Sequence, residues 1–284
     1  MDRAITVFTH RRVEQTEDCL GTLVDAARDA GVKLRFDPEE TEKHGLAPSD
    51  VVVTDAEVRQ DVELCVVLGG DGTILKALRQ YAGTGVPTYG VNFGEVGFLA
   101  TIDPDDIAQG FERALNGRFD VLKLPAIAIS TDDQELYAIN DVSVHRRSGE
   151  RVAQVAYGVG GETVARVRCD GLVVASPAGS TGYNLANGGP VMAWGVEGFV
   201  VSFIAPHSMT ARALVIAPGD VLEVANQSRG GGAMDIHVDG RPSGELACDA
   251  SLRVRFVHEA AALAQEPGSS FYRRLREKFG RLSA

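Results

Sequence analysis

Short apolar runs alternate with helix-spaced patterns through the first hundred residues. AITVF at 4–8, VVV at 51–53 and LCVVL at 64–68 read as strands, with helical spacing over about 14–30 and again in TILKALRQYA. Strand, helix, strand, helix predicts parallel strands joined by crossovers. Beyond Asn116-Gly117-Arg118 the rhythm changes to strands alone. The candidates are VLKLPAIAIS, ELYAINDVSVHR, VAQVAYGV, TVARVR, GLVVAS, FVVSFIA, DVLEVAN, MDIHVD and SLRVRFVH, with Gly, Asn, Asp and Pro between them. Gly158-Val159-Gly160-Gly161 separates two alternating runs and reads as a hairpin loop. The predicted fold is therefore an α/β N-terminal domain with a parallel sheet, over 1–117, followed by a β-sandwich C-terminal domain over 118–267. In the tail, Phe271, Leu275 and Phe279 form one apolar stripe of a helix with Arg and Lys expected outside it. That helix is expected to pack back on one of the domains as a clasp.

Length and charge narrow the function. A chain of 284 residues has room for about two domains, and its formal charge of −11 disfavours nucleic acid or an anionic membrane as partner. MDRAITVFTHRR has too short an apolar run for a secretion signal, and no window approaches a membrane span, so a cytoplasmic location is expected. Cys19, Cys65, Cys169 and Cys248 show no CxxC spacing and read as buried thiols, not as a disulfide frame or a zinc site. Only five of the 28 basic residues are Lys, a bias that, with the excess of acids, resembles salt-adapted surfaces, the alternative being a GC-rich genome that favours Arg codons over Lys.

The first chemical signal is Gly69-Gly70-Asp71-Gly72-Thr73 between a strand and a helix. Glycines let backbone N–H groups approach an anion at a helix start, where the dipole favours negative charge. The bland alternative is a helix cap in which Asp71 serves Thr73. In a phosphate site Asp71 is repelled by the phosphates, so its useful partner is a hydroxyl that it orients and from which it accepts a proton. Phosphorylation of a hydroxyl is the implied reaction, and Lys76, one turn into the helix, is a candidate phosphate ligand. A second Gly-bearing loop, with Gly94 and Gly97, follows the strand ending at Val91-Asn92. Both loops then lie at the carboxyl edge of one sheet, where open α/β sheets bind ligands. In the β-rich part, Asn140-Asp141, Asp170-Gly171 and Gly179-Ser180-Thr181-Gly182-Tyr183-Asn184 bring hydroxyls, an aromatic ring and polar groups suited to a flat heterocycle and a ribose.

Taken together, GGDGT at 69–73, NFGEVGFL at 92–99, Asn140-Asp141-Val-Ser-Val-His-Arg, DGLVVASPAGSTGYNLANGGP at 170–190, Ala205-Pro206-His207-Ser208, Val238-Asp239-Gly240 and the terminal FYRRLREKFG resemble the NAD kinase family. The resemblance covers about residues 60–245 plus the tail. It implies transfer of a phosphoryl group, from ATP with Mg²⁺ or from polyphosphate, to the adenosine 2′-hydroxyl of NAD. Asp71 is then the catalytic carboxylate, and Gly69, Gly70, Gly72, Thr73 and Lys76 hold phosphate. NAD binding falls to Asp71, Gly72, Asn140, Asp141, Arg151, Arg168, Asp170, Thr181, Gly182, Tyr183, Asn184, Leu185, Ala186 and Ala205, with Phe98, His207 and Arg241 as further contacts. Asp141 stands where the family has Glu, one methylene longer. No resident protein-held metal is implied. The resemblance also implies that the helix over 268–284 completes the first domain, that the chain forms a homodimer or homotetramer, and, with the surface bias, a salt-adapted archaeal type. Two alternatives use the same residues: a non-catalytic dinucleotide sensor of this fold, and a lipid kinase sharing GGDGT.

Overall fold

The computed structural model describes residues 3–93, 97–102, 106–130, 135–228 and 232–280. It divides into an N-terminal unit, Met1–Lys123 with Ala261–Ala284, and a C-terminal unit, Leu124–Ala260.

In the N-terminal unit, β1 (Ala4–Thr9), β2 (Lys33–Arg35), β3 (Val52–Val53), β4 (Leu64–Leu68) and β5 (Pro87–Val91) are parallel in the order 3-2-1-4-5. The helices are α1 (Glu17–Ala30), α2 (Pro38–His44), α3 (Asp71–Gln80) and α4 (Ile107–Leu115). Every residue of β4 is buried, which is why LCVVL is a continuous apolar run and not an alternating one. Val7, Leu23, Leu34, Val66, Leu68, Tyr89 and Phe111 meet in one core. The chain leaves β1 toward β2 and β3 and returns on the other side as β4. The carboxyl ends of β1 and β4 thus flank a topological switch point, the usual ligand position of such sheets. α3 begins there, three residues after β4.

The C-terminal unit contains most of β6 (Asp120–Ser130), then β7 (Glu135–Ala138), β8 (Asp141–Arg146), β9 (Ala153–Val159), β10 (Glu162–Cys169), β11 (Gly171–Ala175), the short α5 (Tyr183–Ala186), β12 (Phe199–Ile204), β13 (Leu214–Ile216), β14 (Val221–Asn226), β15 (Met234–Val238) and β16 (Arg241–Leu246). One antiparallel sheet runs 13-12-11-8-15-16. A second runs 10-9-14 and continues into β17 (Ser251–Gln265). Val142, Val144, Leu172, Val174, Val201 and Ile236 of the first sheet pack with Val155, Leu222, Val224, Leu252 and Val254 of the second. Gly160 and Gly161, at φ 61° and 84°, close the β9–β10 hairpin with the two positive-φ positions of a type I′ turn.

Several details differ from the pattern-based expectation. ELYAINDVSVHR is two strands, broken at Ile139-Asn140, and RPSGEL is a strand although it carries Pro and Gly, because β16 is a sheet edge. β17 runs on through EAAALAQ, and its last part is buried and pairs in parallel with β5 through Ala262 and Leu263. In the terminal helix α6 (Phe271–Phe279), Arg274 is only 9% exposed and lies inward, whereas the stripe argument places the basic residues outside. Cys19, Cys65 and Cys169 are buried as expected, but Cys248, beyond the end of an edge strand, is exposed. Among the described residues no helix is long and apolar enough to cross a membrane.

Candidate functional site

The GGDGT turn joins β4 to α3. Gly70 is the N-cap, and Thr73 donates its backbone N–H to the Gly70 carbonyl at 3.0 Å. Asp71 is the first helical residue and caps nothing. Its Oδ2 accepts from the Phe98 N–H at 2.8 Å and its Oδ1 from the Leu99 N–H at 3.1 Å, so the carboxylate is fixed by a loop 27 residues away in sequence. Gly97 makes that approach possible, since a Cβ there would overlap Asp71 Oδ1. The backbone N–H groups of Asp71 and Gly72 occupy the helix start, where no intrahelical acceptor exists, and Gly72 is exposed. Gly69, Gly70, Asp71, Gly72 and Thr73 therefore come together as an anion-receptive turn with one oriented carboxylate. Of the second loop, Gly94 lies outside the described residues.

Two residues expected here have other partners. The Lys76 ammonium donates to Glu39 at 3.1 Å and lies 5.6 Å from the centre of the Phe8 ring. Its first partner is a carboxylate on α2, and it reaches a phosphate only by leaving that exposed pair. Phe98 is 3% exposed, with its ring 6.1 Å from Phe271, 6.0 Å from Phe279 and 4.7 Å from the Lys278 ammonium. It is a packing residue of the N-terminal unit, not an open ligand face.

In the C-terminal unit the site is built on β8. Val142 and Val144 enter the core, and Asp141, Ser143 and His145 take the opposite face. The break before β8 has a cause: the Asp239 carboxylate accepts from the N–H groups of Ile139 at 3.1 Å, Asn140 at 2.8 Å and Asp141 at 3.2 Å. Behind the break, Ser176 donates its hydroxyl to the Ile139 carbonyl at 2.6 Å and its N–H to the Asn140 carbonyl at 2.9 Å, which ties the Asn140-Asp141 pair to the turn leading into GSTGY. Burial, and then the Asp239 charge beside it, pushes the Asp141 carboxyl up to about 7. Tyr183 stacks on His145 with centroids 5.6 Å apart and rings 15° from parallel, and His237 of β15 meets His145 edge-on at 5.3 Å. Burial, then the His237 charge, lowers the His145 pKa. Asn140 Oδ1 and His237 Nδ1 are buried without a hydrogen-bond partner, two polar atoms that a polar ligand would satisfy.

At the far end of β8, about 16 Å from Asp141 at the usual strand rise, Arg146 binds Asp170 through two hydrogen bonds of 2.5 and 3.3 Å. That guanidinium holds the Asp170 carboxyl below the ordinary carboxylate range. Asp170 donates its N–H to Ile204, His207 donates its N–H to the Arg168 carbonyl, and Ala205 between them has a left-handed φ of 43°. Arg168, Asp170, Ala205 and His207 thus cluster here. Arg151, Gly182, Ala186 and Arg241 are exposed, and Thr181 and Leu185 are half-buried. Asn184 is fully buried and braces the loop, donating from Nδ2 to the Ser180 and Pro190 carbonyls at 3.0 Å each, while its Oδ1 has no hydrogen-bond partner.

Ser143, His145 and His237 went unnoticed in the sequence. The alternation Asp141-Val-Ser-Val-His carried a signal for the first two, because a strand puts all three polar residues on one face. For His237 no local signal exists. Among the described residues no group of three or more His, Cys, Asp or Glu is arranged to hold a metal ion.

A switch-point turn with an oriented carboxylate, and a polar strand face with a stacked aromatic, define a protein of the nucleotide-dependent phosphotransfer class. The ATP-NAD kinase N-terminal domain model matches residues 8–119 and the C-terminal domain model residues 139–265. An NAD kinase of Gemmatimonas aurantiaca is 32% identical over 97% of this chain and 95% of its own length. The chain belongs to the NAD kinase family. Among solved structures, an NAD kinase from Archaeoglobus fulgidus in complex with ATP superposes with a TM-score of 0.74 at 25% identity, covering 99% of this chain and 98% of that one. Yeast NADH kinase complexed with NADH gives a TM-score of 0.86 at 20% identity, covering 99% and 89%, and shares the fold.

Proposed function

We propose that the chain transfers a phosphoryl group from ATP to the adenosine 2′-hydroxyl of NAD, giving NADP. The observation that carries this reading is the Asp71 carboxylate, held by the Phe98 and Leu99 N–H groups amid an anion-receptive turn. Asp71 orients the hydroxyl and accepts its proton as the new O–P bond forms. Phosphoryl transfer passes through a loose transition state, so orientation contributes more than base strength. Gly70 and Gly72 receive phosphate oxygens through backbone N–H groups and Thr73 through its hydroxyl, while the Gly69 N–H, bound to the Val91 carbonyl, anchors the turn to β5. Asn140, Asp141, Thr181 and Tyr183 take the nucleoside part, and Arg168, Asp170 and Ala205, one strand length away, the remainder of the dinucleotide. Asp141 at about 7 is available as a proton-bearing carboxyl that can donate to a ribose or amide oxygen.

Among the described residues no cluster of three or more His, Cys, Asp or Glu is arranged to hold a metal ion. A divalent cation fits this protein as part of the donor, carried on the ATP phosphates with its own waters. ATP is favoured over polyphosphate by the family to which the chain belongs. The acidic, lysine-poor composition supports a salt-adapted enzyme, and the family resemblance a homo-oligomer. The decisive assay offers the purified protein NAD or NADH with ATP or polyphosphate, at low and high KCl, and scores NADP or NADPH. Asp71→Asn is expected to lower turnover about 10²–10⁴-fold in a protein that still folds, its melting temperature falling by a few degrees because one acceptor of the Phe98 and Leu99 N–H groups is lost. Normal turnover in that variant refutes the role of Asp71. NAD binding by calorimetry without any product refutes the kinase reading in favour of a sensor.

A further inference from the structure

The buried arginine of the terminal helix is poorly explained by stability. Position 274 falls among Phe271, Leu275 and Phe279, where an apolar side chain would pack at lower desolvation cost. Arg274 instead donates from Nη1 to the carbonyls of Phe98 and Ala100, and from Nη2 to Gln265 Oε1 at 2.8 Å and Ser269 Oγ at 3.4 Å. The Phe98 ring is held by the same helix through Phe271, Phe279 and Lys278. The segment 98–100 is therefore clamped from both sides. Its carbonyls point to Arg274, and its N–H groups, from Phe98 and Leu99, point to the carboxylate of Asp71. Thr101 extends the clamp, accepting from the Gly90 N–H at 3.0 Å and donating to the Ala264 carbonyl at 2.8 Å.

We infer that Arg274 is a positioning residue for Asp71: it sets the peptide planes of residues 98–100, and these set the carboxylate that orients the acceptor hydroxyl. The inference rests on the catalytic reading of Asp71. It makes the terminal helix part of the catalytic geometry, beyond its service as a clasp. A carboxylate displaced by about 1 Å loses on the order of 10²-fold in turnover, whereas nucleotide affinity, supplied by other groups, is unaffected.

The test compares Arg274→Met and Arg274→Lys in the full chain, alone and combined with Asp71→Asn, reading kcat, the KM for NAD and for ATP, and the melting temperature. Arg274→Met is expected to lower kcat by about 10²-fold with both KM values unchanged, and Arg274→Lys, which keeps donors in the same space, to recover most of the loss. In the Asp71→Asn background the same substitution is expected to cost nothing further, because both changes remove one function. Parent-like kcat in a folded Arg274→Met protein overturns the inference, as does a loss that is additive to Asp71→Asn. If Arg274→Met does not fold, Arg274→Lys decides: a kcat fall without a KM change supports positioning, and a common shift of kcat, both KM values and melting temperature overturns it. Should Asp71→Asn itself keep full turnover, the catalytic reading fails. A low Asp71→Asn rate beside a parent-like Arg274→Met rate removes the inference alone.

Discussion

Each unit contains a carboxylate that accepts backbone N–H groups, and the two put that contact to opposite uses. In the N-terminal unit the held group is the one proposed to react, since the loop amides of Phe98 and Leu99 fix Asp71 itself. In the C-terminal unit the carboxylate of Asp239 fixes the backbone of Ile139, Asn140 and Asp141, leaving the side chains proposed to meet the ligand to be aimed by the chain that bears them. The first arrangement constrains one side chain and suits the step in which a single hydroxyl must be aligned. The second constrains a short stretch of main chain and suits recognition by several groups. It also has an electrostatic consequence: a half-buried Asp141 beside Asp239 holds its proton to about 7.

The comparison breaks most visibly at Gly97. A methyl group at that position would overlap Asp71 Oδ1, so Gly97→Ala must turn the carboxylate away from its amide partners. Turnover is expected to fall about 10²-fold, as for a misplaced catalytic group, with NAD affinity by calorimetry close to the parent. A larger effect on affinity than on turnover would show that the N-terminal carboxylate is a binding group after all. Asp239→Asn probes the other cradle. Asn tolerates the left-handed φ of 48° at this position, so the turn survives, but one acceptor becomes a donor and faces an N–H. The KM for NAD is expected to rise about tenfold, the size of one charge-assisted hydrogen bond, with a smaller change in kcat. Equal losses in kcat and KM would merge the two cradles into one function.

How much of this was legible depended on the distance over which a residue acts. β4 and the GGDGT turn are contiguous, and their apolar run, glycines and carboxylate point to the same strand–turn–helix. The split between β7 and β8 was only hinted at by Asn140-Asp141, a pair weak in strands, because the residue that fixes the break, Asp239, lies 98–100 positions further on. The tail of β17 reads EAAALAQ, a good helix former overridden by pairing with β5 and by burial. Asp71 was identified from its neighbours, but not its partners. Arg274 was placed with the solvent face of α6 because a basic residue beside an apolar stripe is normally exposed, and only the carbonyls of Phe98 and Ala100 explain its burial.

The gentlest test concerns Asp141 and reads stability rather than activity. In the unfolded chain its carboxyl titrates near the ordinary value of 3.8, and in the folded chain near 7. Between those values the folded protein keeps a proton that the unfolded chain has released, so stability from this group is fully present below about pH 4 and is lost as pH rises to about 7. Asp141→Asn removes the titration while leaving every other group in place. The difference in melting temperature, variant minus parent, is therefore expected to be smallest near pH 4, to grow in favour of the variant up to about pH 7, and to level off above it, with a total span of a few degrees. Subtracting the parent curve cancels the groups common to both proteins, including the Arg146–Asp170 pair, whose contribution runs the other way and is lost toward acid pH. A difference that is flat across this window would mean that Asp141 ionises like an exposed carboxyl. The Asp239 cradle would then fix main chain without altering the charge that the C-terminal unit presents to NAD.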